Sequence, residues 1–149
     1  VIDQNNIKGT IIFKEDLKNK NVIITIHLSG LEPGLHGFHI HEYGDLREGC
    51  GSLCGHYNPT NKKHGGPNDK ERHVGDLGNI KANANGICKM KFTDKVIKLR
   101  GKYNIIGRSI VIHEDEDDLG KGGHSDSLKT GHAGKRIACS IIGYSKNNK

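Results

Sequence analysis

The strongest constraint on how this chain can fold is a series of short, strand-like runs separated by turn residues. Residues 7–13 and 22–28 come first, the second almost wholly β-branched. Residues 37–41, 80–84, 88–92, 96–99, 109–113 and 138–143 continue the series, and Lys89 and Lys91 alternate with apolar neighbours in one of them. Between the runs stand Glu32-Pro33-Gly34, Asn83-Ala84-Asn85-Gly86 and Arg100-Gly101-Lys102. β-branched residues suit a pleated surface, and Gly, Asn and Pro suit turns. No stretch shows helical periodicity, so the pattern predicts an all-β sandwich or barrel. The length fits one domain over residues 1–149. Only 33% of residues are hydrophobic and Trp is absent, so the core must be thin and built from Ile, Val and Leu.

Two segments break the rhythm, about residues 42–78 and 114–136. Loops longer than about 12–15 residues in a compact domain usually carry function or are disordered. Ligand-type residues concentrate here. His39 and His41 lie two apart, and on a strand such residues face the same way and can grip one ion together. His56, His64, His73 and Asp76 follow in a stretch rich in Gly, Asn and Pro, and His113 ends the apolar run 109–112. Imidazole suits copper and zinc, and a carboxylate joining histidines in a closed set suits zinc. A lone histidine or a single His-x-His would carry little weight. The whole series predicts two overlapping metal sites.

The net charge of +6 does not make a nucleic-acid binder: aromatics are 5% of residues, and no nucleic-acid motif is present. No apolar run approaches the roughly 20 residues that span a bilayer. A soluble cytoplasmic protein without nucleic-acid or membrane partners is therefore expected. Four cysteines, Cys50, Cys54, Cys88 and Cys139, form no CxxC pair, which argues against a thiolate zinc site. In a reducing cytosol, free thiols are the default.

Several longer motifs are similar to those of the copper–zinc superoxide dismutase family. They are residues 34–45 (GLHGFHIHEYGD), 64–67 (HGGP), 72–79 (RHVGDLGN), 104–108 (NIIGR), 117–123 (DDLGKGG) and 131–136 (GHAGKR). They stand in the family's order over about residues 9–143. The resemblance implies an eight-stranded Greek-key β-barrel of immunoglobulin-like sandwich form. It has two long functional loops, and its first strand is shortened here. The implied copper ligands are His39, His41, His56 and His113. Those for zinc are His56, His64, His73 and Asp76, with His56 bridging both ions. Asp117 matches an outer aspartate that orients His39 and His64. Arg136 matches the arginine beside copper, while Lys129, Thr130 and Lys121 match residues of the substrate approach.

The implied reaction is dismutation of superoxide to dioxygen and hydrogen peroxide, with His56 carrying a proton. The alternative is a copper-binding or copper-delivery protein on the same fold, which would be expected to lack a ligand or the arginine. The resemblance also implies a Cys50–Cys139 disulfide, a homodimer using residues 43–46, 106–107 and 141–144, and possible dependence on a copper chaperone. Cys88 is read as packed, Cys54 as standing where the family has a small residue. His27 is read as a surface residue and His36 as structural; His124 and His132 are not counted as ligands.

Overall fold

The computed structural model describes residues 1–146. Eight strands form two four-stranded antiparallel sheets: β1 Ile2–Gln4, β2 Ile7–Glu15, β3 Val22–Ser29, β4 Gly34–His41, β5 Asp76–Ala82, β6 Cys88–Asp94, β7 Ser109–His113 and β8 Arg136–Ile141. The orders are β1-β2-β3-β6 and β5-β4-β7-β8. The chain changes sheets after β3, β5 and β6, which is the Greek-key connection. β5 packs beside β6 and β1 beside β8, so the sheet edges close toward a barrel.

Strand β3 shows why the sequence folds this way. Val22, Ile24, Ile26 and Leu28 are fully buried, while Thr25, His27 and Ser29 face outward. A period of two puts every β-branched residue of one face into the core. Phe38, Ile40, Ile80, Ile97, Ile105 and Ile112 complete an isoleucine-rich centre between the sheets.

The first strand is short, as expected: Ile2–Gln4, three residues, pairs with β2. Several element boundaries differ from the sequence expectation, β4 for example beginning at Gly34, three residues early. β5 begins at Asp76, so this residue sits on a strand end rather than in the loop. β8 begins at Arg136, two residues earlier than the apolar run. Residues 96–99 form no ladder strand; only an isolated bridge, Lys98 to Asn104, is present. The cause is Asp94: its Oδ2 accepts the N–H groups of Val96 and Ile97 at 2.9 Å each, turning the chain where propensity favours extension.

The two long loops hold the only helical turns among the described residues, a 3-10 turn at Gly49–Leu53 and α1 at Ser127–Thr130. Cys50 and Cys139 are joined by a disulfide that ties the first loop to β8. Arg72, buried, pairs with Asp94 at 2.8 Å and donates to the carbonyls of Pro67, His73 and Val74. Every polar atom of this inward-turned guanidinium that the loop covers thereby gains a partner, as burial demands.

Candidate metal centre

β4 places His39 and His41 on its outer face, with Phe38 and Ile40 turned into the core. A bulge between Gly37 and His39 re-aims the strand there. Gly37 is required locally, because a Cβ at this position would lie 2.7 Å from the Cβ of Ala133. His113 ends the neighbouring β7. The first loop returns alongside β4, its Tyr57 N–H donating to Ile40 at 2.8 Å and Glu42 N–H to Gly55 at 3.0 Å. That lacing brings His56 over the β4 histidines, with the rings of His39 and His56 only 4.0 Å apart.

His39, His41, His56 and His113 are all buried, and each offers one ligand atom within 4.8 Å of the others. Their second nitrogens are occupied. His41 Nδ1–H donates to the Cys54 carbonyl at 2.7 Å, and His113 Nδ1–H to that of Gly134 at 3.1 Å. His39 Nε2 is held by Asp117 Oδ2 at 2.6 Å. The remaining atoms, His39 Nδ1, His41 Nε2, His56 Nε2 and His113 Nε2, are buried with no hydrogen-bond partner. Four orphaned imidazole nitrogens converging in a dry site are costly unless a cation completes them. This donor set fits copper.

On the other side of His56, Asp76 Oδ1 is a hub. It lies 2.9 Å from His56 Nδ1, 2.9 Å from His64 Nδ1 and 3.2 Å from His73 Nδ1. His56 Nδ1 and His73 Nδ1 are 3.1 Å apart. A tetrahedron with bonds of about 2.0–2.1 Å has edges of about 3.3 Å, so these spacings fit the preference of zinc. His39 also lies within ligand distance of His56, His64 and Asp76, but its only unpartnered atom is Nδ1. Asp76 Oδ2 is fixed separately by the N–H groups of Gly65 and His73 at 3.0 and 2.8 Å.

Electrostatics prepare these atoms. Burial, reinforced by the neighbouring His56, lowers the pKa of His39 and takes that of His41 to about 2. His113 falls to about 4, chiefly through burial. Burial also lowers His56 against the opposing pull of Asp76. All four are thus neutral at pH 7. For His64, burial alone would lower the pKa, but the Asp117 and Asp76 carboxylates outweigh it and raise it to about 9.

Asp117 is fully enclosed and spans both halves, with Oδ2 on His39 and Oδ1 on His64 Nε2 at 2.7 Å. The amide of Asn79 donates to the Asp117 carbonyl and its side-chain oxygen accepts the Asp117 N–H. Gly131, at φ 72°, caps α1 where a Cβ would come within 2.6 Å of His64 Nε2. Arg136 reaches the opposite rim, donating to the carbonyls of Cys50 at 2.7 Å and Cys54 at 2.6 Å. Its charge is felt by both His41 and His113. Lys129 and Thr130 are exposed on α1, and Lys121 is exposed further along the loop; none hydrogen-bonds to the histidines.

His36 is buried and bridges the Glu32 and His113 carbonyls at 2.8 Å each, a structural tie between β4 and β7. His27 is exposed. Cys88 is buried and Cys54 is a free, exposed thiol. Sequence reasoning missed Cys54 as a site-building residue: its carbonyl holds both His41 and Arg136, and a backbone role leaves no side-chain signature.

A Greek-key sandwich that buries a converging set of imidazoles beside a carboxylate hub defines a class, the copper- and zinc-binding β-barrel proteins. Comparison makes the assignment specific. Residues 7–142 match the family described as copper/zinc superoxide dismutase (SODC), and the chain belongs to that family. A Cu-Zn superoxide dismutase of Paramecium bursaria Chlorella virus 1 is 59% identical over 143 residues, covering 95% of this chain and 75% of the relative. The extracellular Cu-Zn superoxide dismutase of Drosophila melanogaster is 55% identical over 141 residues, covering 95% of this chain and 78% of the relative. The crystal structure of the clock protein EA4 superposes with a TM-score of 0.92 at 46% identity, covering 95% of this chain and 90% of that one.

Proposed function

We infer that the protein converts two superoxide ions and two protons to dioxygen and hydrogen peroxide at a copper held by His39, His41, His56 and His113. His56, His64, His73 and Asp76 would hold zinc. The carrying observation is the two-sided environment of His56: Nδ1 faces the Asp76 hub while Nε2 is orphaned among the other imidazoles. Copper, when bound, supplies the one-electron exchange, because its +2 and +1 states can take up and return the electron that passes between two superoxide ions. Zinc has no redox step and fixes the His56 ring and the loop. His56 Nε2 can hold a proton and pass it to the departing peroxide. Asp117 orients His39 and His64 together.

Arg136 stays charged at any working pH and binds the anion beside the site. Lys121, Lys129 and Thr130 line its approach, where positive charge raises the encounter rate. A copper-delivery role requires an ion that is readily surrendered, whereas these ligands are buried and individually braced. Tyr43, Leu46 and Ile141 are 51%, 43% and 44% exposed, which supports a homodimer through that face. Among the described residues no helix is long and apolar enough to cross a membrane. Residence in the cytoplasm and copper supply by a chaperone remain part of this proposal.

The test is Arg136→Ile. It is expected to retain both metals, cut turnover per copper about tenfold or more, and flatten the salt dependence of the rate. Full turnover with unchanged salt dependence would remove Arg136 from the mechanism.

A further inference from the structure

The β2–β3 hairpin ends in a feature that the metal centre does not use. Leu17, at its tip, is 88% exposed, the most exposed large aliphatic side chain among the described residues. It follows Asp16 and is followed by Lys18 and Lys20. A second loop, between β6 and β7, packs against this hairpin: Lys98 Nζ donates to the Lys20 carbonyl at 3.3 Å and to that of Lys95 at 3.0 Å. The contact brings Lys98 onto Lys20, so the lysines of the two loops, with Lys18 and Lys95 beside them in sequence, share one pole of the sandwich.

The carboxylates at this pole offset only part of the lysines' charge. Glu15 is taken by Arg100 at 2.7 Å, and Asp94 is buried against Arg72. Asp16 is turned back into its own hairpin, where it accepts the N–H of Lys18 at 2.9 Å. Among the described residues no lysine forms an ion pair. The backbone of the tip is fixed, since Asp16 N–H donates to the Asn21 carbonyl at 2.8 Å and Lys20 N–H to that of Asp16 at 2.7 Å. Leu17 is therefore held out into solvent by its own turn.

We propose that this pole is a docking surface for an anionic phospholipid bilayer. Leu17 enters the headgroup boundary and the lysines meet the negative surface. An apolar tip beside several lysines matches the two layers of a bilayer, an acyl interior beneath charged headgroups. A soluble polyanion would use the lysines but offer nothing to Leu17. Nucleic acid would in addition need stacking platforms, and this pole presents Tyr103 alone, already under Lys102. The sequence expectation of no membrane partner rested on the lack of a spanning segment, which peripheral docking does not require.

The test uses the metal-loaded protein and sedimentation with vesicles of phosphatidylcholine alone or mixed with phosphatidylserine, with heparin retention in parallel. Binding to the mixed vesicles, weakened by salt and absent from pure phosphatidylcholine, is expected. Lys18→Gln with Lys20→Gln should lower partitioning about 25-fold, at about fivefold per lysine. Leu17→Ser should lower vesicle binding several-fold and leave heparin retention unchanged. All variants should keep their metals and dismutase activity, since none of these residues belongs to the metal centre. Failure to bind the mixed vesicles at low salt overturns the proposal. So does vesicle binding indifferent to Leu17→Ser, which would assign the pole to soluble polyanions.

Discussion

Cys54 occupies a backbone conformation that side chains avoid, at φ 60° and ψ −156°, and it does so at the metal centre. That region is essentially reserved for glycine, and a residue held there costs about 1–3 kcal/mol. The conformation persists because the Cys54 carbonyl is needed where it is, accepting from His41 at 2.7 Å and from Arg136 at 2.6 Å. Cys54→Gly removes the Cβ that creates the strain while keeping the carbonyl. Against this stands the greater freedom of glycine in the unfolded chain, about 0.5–1 kcal/mol. The net gain should centre on about 1 kcal/mol and reach at most about 2.5 kcal/mol, which raises Tm by about 2–4 °C at the central value for a domain of this size. Differential scanning calorimetry at matched copper and zinc content measures it, because bound metal shifts Tm on its own. Cys54→Ala is the control: it removes the thiol but keeps the Cβ, so its Tm should stay near that of the parent. A glycine variant melting at or below the parent, or an alanine variant gaining as much, would refute the strain argument.

Asp117→Asn keeps one acceptor but turns an amide N–H toward a buried imidazole N–H, so affinity for metal should fall about 10–100-fold, read by competition with a chelator. Zinc uptake by the metal-free protein should release about one proton from His64 between pH 6.5 and its raised pKa of about 9, measured by calorimetry in buffers of different ionisation enthalpy. The same raised pKa stabilises the metal-free fold fully below about pH 6.5. That contribution is lost as pH rises through about 9, so denaturation midpoints should decline across this window. Reducing the Cys50–Cys139 disulfide, which closes a span of 89 residues, should remove about 4–5 kcal/mol in the chain-entropy model, seen as a lower denaturant midpoint.

The residues alone made the β-class legible, because the alternation in residues 22–28 and 88–92 is a one-dimensional record of which face is buried. The spacing of His39 and His41 was equally readable, since two residues on one strand share a face whatever the strand packs against. Family resemblance named the remaining ligands, but it did not supply their geometry. Propensity misjudged residues 96–99, where the Asp94 carboxylate outcompetes a ladder for two N–H groups. It also set Asp76 in a loop, although β5 begins there, since a strand whose first residue is a buried carboxylate shows no apolar run.

What the sequence determined by itself was the supply of parts: β-branched strands, two long polar loops, and imidazoles in numbers no ordinary surface needs. Only the tertiary structure decided which nitrogen of each ring is left without a partner. That choice depends on carbonyls and carboxylates contributed from far along the chain, such as Cys54, Gly134 and Asp117. A ring has two chemically similar nitrogens, and the hydrogen bond made by one fixes what the other can offer. The same holds for the lysines of the β2–β3 hairpin and the β6–β7 loop, which are far apart in sequence and come together only where Lys98 meets Lys20.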